Sequence, residues 1–343
     1  MMNLRHASVQ RLTGLSNEVL KKVGADDASA QAATRAMLHA SVHGVESHGI
    51  RLLPFYAKSI VTGLAKGKPN IKVTRPRPAV AHVDADNAMG HIACYRAMDE
   101  ACAIAKDFGI GMAAVVNSTH FGAAGAYALA AADAGFIGMI TANSGALVIP
   151  HGGRKAIHGT SPIALAAPNP NGDPFLLDMA TSSIPWNKVL RYRTEGLELP
   201  NEVAVDGDGK FTTDPHKAKA LAPLGGGDFG YKGAGLAGFA EIFGGVFTGM
   251  RLSCEQDGTA LGDSKMGHFV MAVDPTLFMT MEQFGERLTK YLDSFKVQPG
   301  TYAAGGPEWE KRRVREVEGI PLPQGLYDEL RAVAKEVGSN FHV

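Results

Sequence analysis

Cysteine is scarce in this chain. Cys94, Cys102 and Cys254 are the only three, no two form a CxxC pair, and an odd number cannot close a full disulfide set, which points to a reducing compartment. Long apolar runs are missing too. The start, Met1-Met2-Asn3-Leu4-Arg5-His6, lacks the apolar stretch of a signal peptide, and nothing approaches the roughly 18 uninterrupted apolar residues of a membrane span. A cytoplasmic protein without membrane contact is expected. Nor is there an excess of either charge: Lys plus Arg equals Asp plus Glu at 34 each, so no global field draws in nucleic acid. The chain has no HExxH, its twelve histidines are scattered, and His39 and His43 have no third ligand near them in sequence, so no metal is expected. Ser47 sits in no GxSxG elbow, and a base beside a serine in sequence rarely faces it, which sets a serine hydrolase aside.

What is present describes a globular protein. The 343 residues are 45% hydrophobic and 20% charged, and a chain this long exceeds the roughly 250 to 300 residues at which single cores stop growing, so two domains are expected. Small apolar residues at helical spacing predict a helix from Asp26 to His43, with Asp26 or Asp27 as N-cap, and a second from Leu52 to Leu64 that stops at Gly67-Lys68-Pro69. From residue 78 the pattern alternates. Strands are predicted at Pro78–Val83, Ile110–Val116, Ile137–Ala142, Ile163–Ala166 and Phe175–Leu177, with helices at Ile92–Lys106 and Ala123–Ala134: a mixed α/β core. Gly225–Gly230 reads as a flexible loop before a helical run from Leu236 to Phe247, and Met281 to Val343 is largely helical. No repeat or low-complexity linker is visible.

Three segments carry chemistry. Gly44-Val45-Glu46-Ser47-His48-Gly49-Ile50-Arg51 brings together a hydroxyl, an imidazole that exchanges protons near neutral pH and a guanidinium that can grip a carboxylate. The same residues also suit an ordinary helix-end turn. Asn117-Ser118-Thr119-His120-Phe121-Gly122-Ala123-Ala124-Gly125 lies between a predicted strand and helix, where free N–H groups suit a nucleotide phosphate and small residues suit tight packing equally well. Asp178-Met179-Ala180-Thr181-Ser182 puts a carboxylate and two hydroxyls at a strand end, fit for ribose or nicotinamide groups or for capping, with Lys188 ten residues beyond Asp178. Two literal GxGxxG strings start at Gly225 and Gly233. Neither follows a buried strand, and neither has a ribose-binding acid about 20 residues on, so a Rossmann assignment is rejected.

Taken in order, the strings SHG at Ser47, HFGAAGAY at His120, GFIGMITANS at Gly135, PHGG at Pro150, GTSPIA at Gly159, LDMATS at Leu177 and GYKGAGLA at Gly230 are similar to those of the malate/L-lactate dehydrogenase family. The resemblance covers nearly the whole chain. It implies a non-Rossmann, mixed α/β NAD(P)-binding domain, 76–284, and a helical domain built from both chain ends, 1–75 with 285–343 packing back on it, in a homodimer. The implied activity is hydride transfer between NAD or NADP and a small 2-hydroxy or 2-keto acid. The alternatives are reduction of cyclic ketimines and a catalytically silent nucleotide-binding relative.

Residue by residue, the resemblance makes His48 the proton donor or acceptor, oriented by Ser47, with His120 competing for that role and Lys188 in the catalytic set. Arg51, Tyr56 and Thr160 fall to the substrate. The cofactor positions are His120, Phe121, Gly122, Ala123 and Ala124, then Asp178, Met179 and Ala180, then Tyr231 and Lys232, and Gly305 and Gly306 in the tail. Three departures stand out. The family's substrate arginine follows the SHG histidine by four residues, where this chain has Leu52. Arg51 is one earlier, and on an α-helix one residue turns a side chain by about 100°. Trp186-Asn187-Lys188 is nearer to the hydroxyacid dehydrogenase string than to the acidic one of the ketimine reductases. Ala304-Gly305-Gly306 stands where Pro-Gly-Glu is usual.

Overall fold

The computed structural model describes residues 5–256 and 265–342. In chain order, β1 (Arg5–Ala7), α1 (Val9–Lys22), α2 (Asp27–Val42) and α3 (Leu53–Val61) precede β2 (Lys72–Arg77), β3 (Val80–Ala88), α4 (Gly90–Phe108) and β4 (Ile110–Ser118). Then come α5 (Gly125–Asp133), β5 (Ile137–Ala142), β6 (Ile163–Ala167), β7 (Phe175–Met179), α6 (Trp186–Glu195), β8 (Ala204–Val205), β9 (Ala220–Leu221) and α7 (Gly226–Glu241). The last part holds β10 (Met266–Val273), α8 (Met281–Ser294), α9 (Gly306–Glu318), β11 (Ile320–Leu322) and α10 (Gln324–Glu336).

Seven strands form one sheet in the order β2-β3-β4-β10-β5-β6-β7. Only β3 and β4 run parallel; every other neighbouring pair is antiparallel, which no Rossmann sheet would show. The central strand, β10, goes unpredicted by the sequence reading. Helices α4 and α5 lie on the sheet, and small residues set how closely. A Cβ on Gly111 would strike the Ala101 carbonyl, and one on Gly138 would stand 2.7 Å from the Ala128 carbonyl. The core between them is accordingly alanine-rich, with Ala97, Ala101, Ala113, Ala128 and Ala131 around Val83, Val115 and Ile140.

A second core joins Leu12, Leu20, Met37 and Leu53 to Leu322, Tyr327 and Leu330. Its closing element is the antiparallel pair β1–β11, with Ala7 opposite Ile320. Helix α8 instead touches the turn after β6, where Thr289 Oγ1 lies 3.2 Å from Asn169 Oδ1.

One expectation is corrected here. The segment Gly225–Gly230 is not a flexible loop: Gly225, at φ +99°, caps a helix that begins at Gly226 and takes in both GxGxxG strings. Its glycines serve contact. Gly233 lies against the backbone of Leu224, which leaves no room for a Cβ. The helix then passes through one π-turn, Ile242–Val246.

Candidate active site

Helix α2, N-capped by Asp26 accepting from Ser29 N at 2.7 Å, delivers the SHG turn. Glu46–His48 and Ile50–Leu52 are single 3₁₀ turns, and Gly44, at φ +77°, starts the reversal. Ser41 Oγ accepts the Ile50 amide at 2.8 Å, and a Cβ on Gly49 would collide with that hydroxyl. From α9, Arg315 donates to the Ser41 carbonyl and pairs with Glu46. The turn is thus clamped on both sides.

His48 Nδ1 lies 2.8 Å from Ser47 Oγ. Its ring stacks on that of His120 with centroids 5.7 Å apart and planes 18° from parallel. His120 stands in the loop after β4, which Thr119 Oγ1 anchors to the Ala88 carbonyl at 3.1 Å. Two groups meet His120 Nδ1: the Tyr56 hydroxyl at 2.8 Å and the Gly122 amide at 3.4 Å. An amide can only donate, so Nδ1 is assigned as acceptor and the ring proton to Nε2. Burial holds the Tyr56 phenol well above its ordinary range, so it too stays protonated and able to donate.

Both imidazoles are neutral at pH 7. Burial pushes His48 down to about 4, and burial followed by the fields of His48, His91 and His268 holds His120 well below its usual value. Behind them lies a wholly buried layer. His91 on α4 meets Tyr56 edge-on at 4.4 Å, and His268 on β10 meets Phe121 at 4.6 Å; burial pushes each down to about 3.

The loop that carries His120 leads into a close junction of small residues. Asp178, at the end of β7, accepts the Gly125 amide of α5 on Oδ2 at 2.8 Å, and a Cβ on Gly125 would lie 2.9 Å from that oxygen. The carboxyl is open on one edge, yet protein crowds the rest. That burial pushes it up to about 6, against the pull of the Gly125 bond. Two residues earlier, Leu176 N donates to Ala304 O at 3.4 Å, and Gly305, at φ +91°, sits so close that a Cβ would be 3.0 Å from Leu176 O. Three separate segments therefore meet where side chains would not fit. The second Asp178 oxygen has no partner among the described residues, so the donor-seeking carboxylate and bare backbone suit a ligand rich in hydroxyl and amide groups, such as a nicotinamide dinucleotide.

The other candidate residues lie as follows. Tyr56 is buried, with its hydroxyl committed to His120. Arg51 is exposed and without a partner among the described residues, whereas Leu52, at the family's arginine position, is buried in the second core. Because Ile50–Leu52 is a 3₁₀ turn, the step from 51 to 52 is about 120° rather than 100°. Thr160 O accepts from Thr181 N at 2.9 Å and from its hydroxyl at 3.1 Å. Lys188 lies over Tyr192 at 5.9 Å. Tyr231 and Lys232 form a separate exposed group on α7: Tyr231 meets His151 at 5.7 Å, and Lys232 lies over Phe229 at 5.5 Å. They share no hydrogen bond or ring contact with His48, His120 or Asp178. Met179 and Ala180 follow Asp178, half-buried.

Asn187 escapes the sequence reading: its amide donates to the Ser47 carbonyl at 3.4 Å, tying α6 to the SHG turn. Its signal was the Trp186-Asn187-Lys188 string, read there only for its lysine. The His39 and His43 rings lie 4.3 Å apart, tilted by 36°, and His43 Nδ1 donates to the His39 carbonyl at 2.7 Å; no group of three potential metal ligands occurs among the described residues.

Comparison with known proteins agrees over the full length. The family model for malate/L-lactate dehydrogenase matches residues 7–331. Malate dehydrogenase of Pyrococcus horikoshii is 37% identical, over 96% of this chain and 94% of its own. L-sulfolactate dehydrogenase of Methanocaldococcus jannaschii is 33% identical, over 94% and 95%. The crystal structure of malate dehydrogenase from Entamoeba histolytica superposes with a TM-score of 0.94 at 27% identity, covering 99% of this chain and all of that one. With its non-Rossmann sheet and its ordered motifs matched from end to end, the chain is an oxidoreductase belonging to the malate/L-lactate dehydrogenase family.

Proposed function

We propose that the protein transfers a hydride between C4 of a nicotinamide dinucleotide and C2 of a small 2-hydroxy or 2-keto acid. The observation that supports this most is the stacked, neutral His48–His120 pair, with Asp178 held by the Gly125 amide at the end of the same loop. When bound, the nicotinamide supplies the hydride acceptor in oxidation and the donor in reduction. In oxidation, His48 takes the hydroxyl proton, and its low proton affinity keeps it available as a base throughout neutral pH. Ser47 fixes its ring. His120 turns Nε2–H outward, a neutral donor to the substrate oxygen, held in that tautomer by Gly122 and Tyr56. Arg51, Thr160 and Lys188 are assigned to the substrate's carboxylate and its polar groups. Asp178, Met179, Ala180 and the loop His120–Ala124 are assigned to the cofactor, with Gly305 and Gly306, and with Tyr231 and Lys232 on α7.

The test is oxidation of NADH and of NADPH, followed at the nicotinamide absorbance, against a panel of 2-keto acids and cyclic ketimines. Keto-acid turnover is expected, and it names the cofactor. Faster turnover of a ketimine would overturn the reading, for a cationic iminium is repelled by Lys188. Cofactor binding without turnover on any of them would mark a silent relative. The pH profile gives a second check. Because kcat/KM reports the base before the acid substrate binds, kcat/KM for oxidation at saturating cofactor, where Asp178, pushed up to about 6, is already engaged, should be level through neutral pH and fall about tenfold per unit only below about 4. An acid limb near the ordinary histidine value would contradict the assignment.

A homodimer belongs to the same proposal. Phe229, Ile242, Val246 and Phe247 are each more than half exposed along α7 and its π-turn. Gly235 and Gly238 face open space, where a Cβ would touch nothing, yet each costs about 1 kcal/mol in a helix relative to alanine. Close approach of a second copy accounts for both. Sedimentation should show a dimer that Val246→Glu with Phe247→Glu dissociates; a monomeric parent protein would refute it. The two units, 1–75 with 285–343 and 76–284, and the cytoplasmic placement are kept as part of this reading, supported by the shared second core and by three unpaired thiols.

A further inference from the structure

Away from the His48–His120 pair, helices α1, α2, α4, α5 and α9 line a cavity of about 440 Å³ that opens to solvent, and none of its lining residues belongs to the catalytic or cofactor set. Its chemistry is unusual for a packing defect. Four lining residues carry a buried polar atom without a partner: Asn17 Oδ1, Thr34 Oγ1, His43 Nε2 and Tyr95 OH. Thr34, His43 and Tyr95 are all more than nine-tenths buried. Unpaired polar groups of this kind are rare in native interiors, and four around one opening call for an explanation.

The lining charges balance in number, Arg35 and Arg312 against Asp133 and Glu316, and with Arg312 spent on Glu316 it is Arg35 that remains open to an oxyanion. Arg35 stacks on the Tyr95 ring at 4.3 Å and donates no hydrogen bond among the described residues, leaving five N–H groups without an acceptor. Glu316 is matched by Arg312 at 2.7 Å, and burial pushes the Asp133 carboxyl up, against the pull of Arg35 and Arg312. Leu38, Val42 and Leu129 complete an apolar wall. We propose that this cavity is a second binding site, for a small organic oxyanion: a carboxylate or phosphate head seated on Arg35, and a short apolar body against Leu38 and Leu129.

Trp309 supplies the readout. It lies 4.9 Å from His43, and the chain has only one other tryptophan, so Trp186→Phe leaves it as the sole emitter. That variant is titrated with sodium hexanoate and with butyl phosphate at constant ionic strength, sodium chloride being the balance. A saturable change in Trp309 emission, with a Kd in the millimolar range or tighter (~1 mM) for at least one, is the expected result, and the responsive probe identifies the head group. Adding Arg35→Ala, or Arg312→Gln, should weaken that binding at least ~10-fold. Both side chains reach the surface, so neither change removes core. No saturable response to either probe, or an equal affinity in Arg35→Ala, overturns the proposal.

Discussion

His48→Ala is expected to lower kcat for hydroxy-acid oxidation by roughly 10²- to 10⁴-fold, the usual contribution of a positioned general base. Substrate KM should change little, because the imidazole acts on the proton in flight rather than on the carboxylate. Added imidazole should restore part of the rate in His48→Ala and none in His120→Ala, whose ring orients instead of abstracting. Tyr56→Phe tests the link between the two. It removes the 2.8 Å partner of His120 Nδ1 and leaves only the long Gly122 contact, so a loss of about tenfold is expected, near the ~1.4 kcal/mol of one hydrogen bond. Near-normal turnover in His48→Ala, with activity abolished in His120→Ala, would exchange the two roles.

The second large effect concerns acid. His91 and His268 are wholly buried and pushed down to about 3, whereas an unfolded histidine titrates near ~6.5. Between these values the unfolded chain binds more protons than the folded one, so their contribution is intact above the unfolded pKa and is lost as pH falls through the window. At pH 5 each should cost about 2 kcal/mol relative to pH 7, or about 4 kcal/mol together, out of a stability that rarely exceeds ~15 kcal/mol. Urea unfolding at pH 7 and pH 5 measures the difference. In a His91→Met, His268→Met protein the loss should shrink by about 4 kcal/mol, the remainder belonging to His48, His120 and His39, which burial also holds down; an unchanged loss would place the acid sensitivity elsewhere.

Legibility in the sequence followed the range of the forces. Helix Asp26–His43 matches α2 to within a residue, and Ile137–Ala142 is β5 to the residue, because spacing, caps and β-branched runs act locally. Strand β10 was hidden by the opposite circumstance. Its Met-Gly-His-Phe opening lacks a clean alternation, and its place between β4 and β5 is fixed by partners more than a hundred residues earlier. Helix α7 was hidden by its glycines, whose poor helix propensity is overridden by contact with Leu224. At the site, the motifs brought out His48, His120 and Asp178, but nothing local joins Tyr56 to His120 across 64 residues or Asn187 to Ser47 across 140. Those contacts exist only once the sheet and the helices have closed on one another.

The grip of α9 on the SHG turn sets an order of events at birth. Arg315 and the strand β11 hold Ser41, Glu46 and β1, which are translated well before them. The sheet from β2 to β10 can assemble while the chain is still growing, yet the histidine turn, held until then by Ser41 and Asn187, gains its clamp from α9 only when Arg315 emerges. A chain stalled before residue 315 would therefore lack the α9 clamp on its histidine turn.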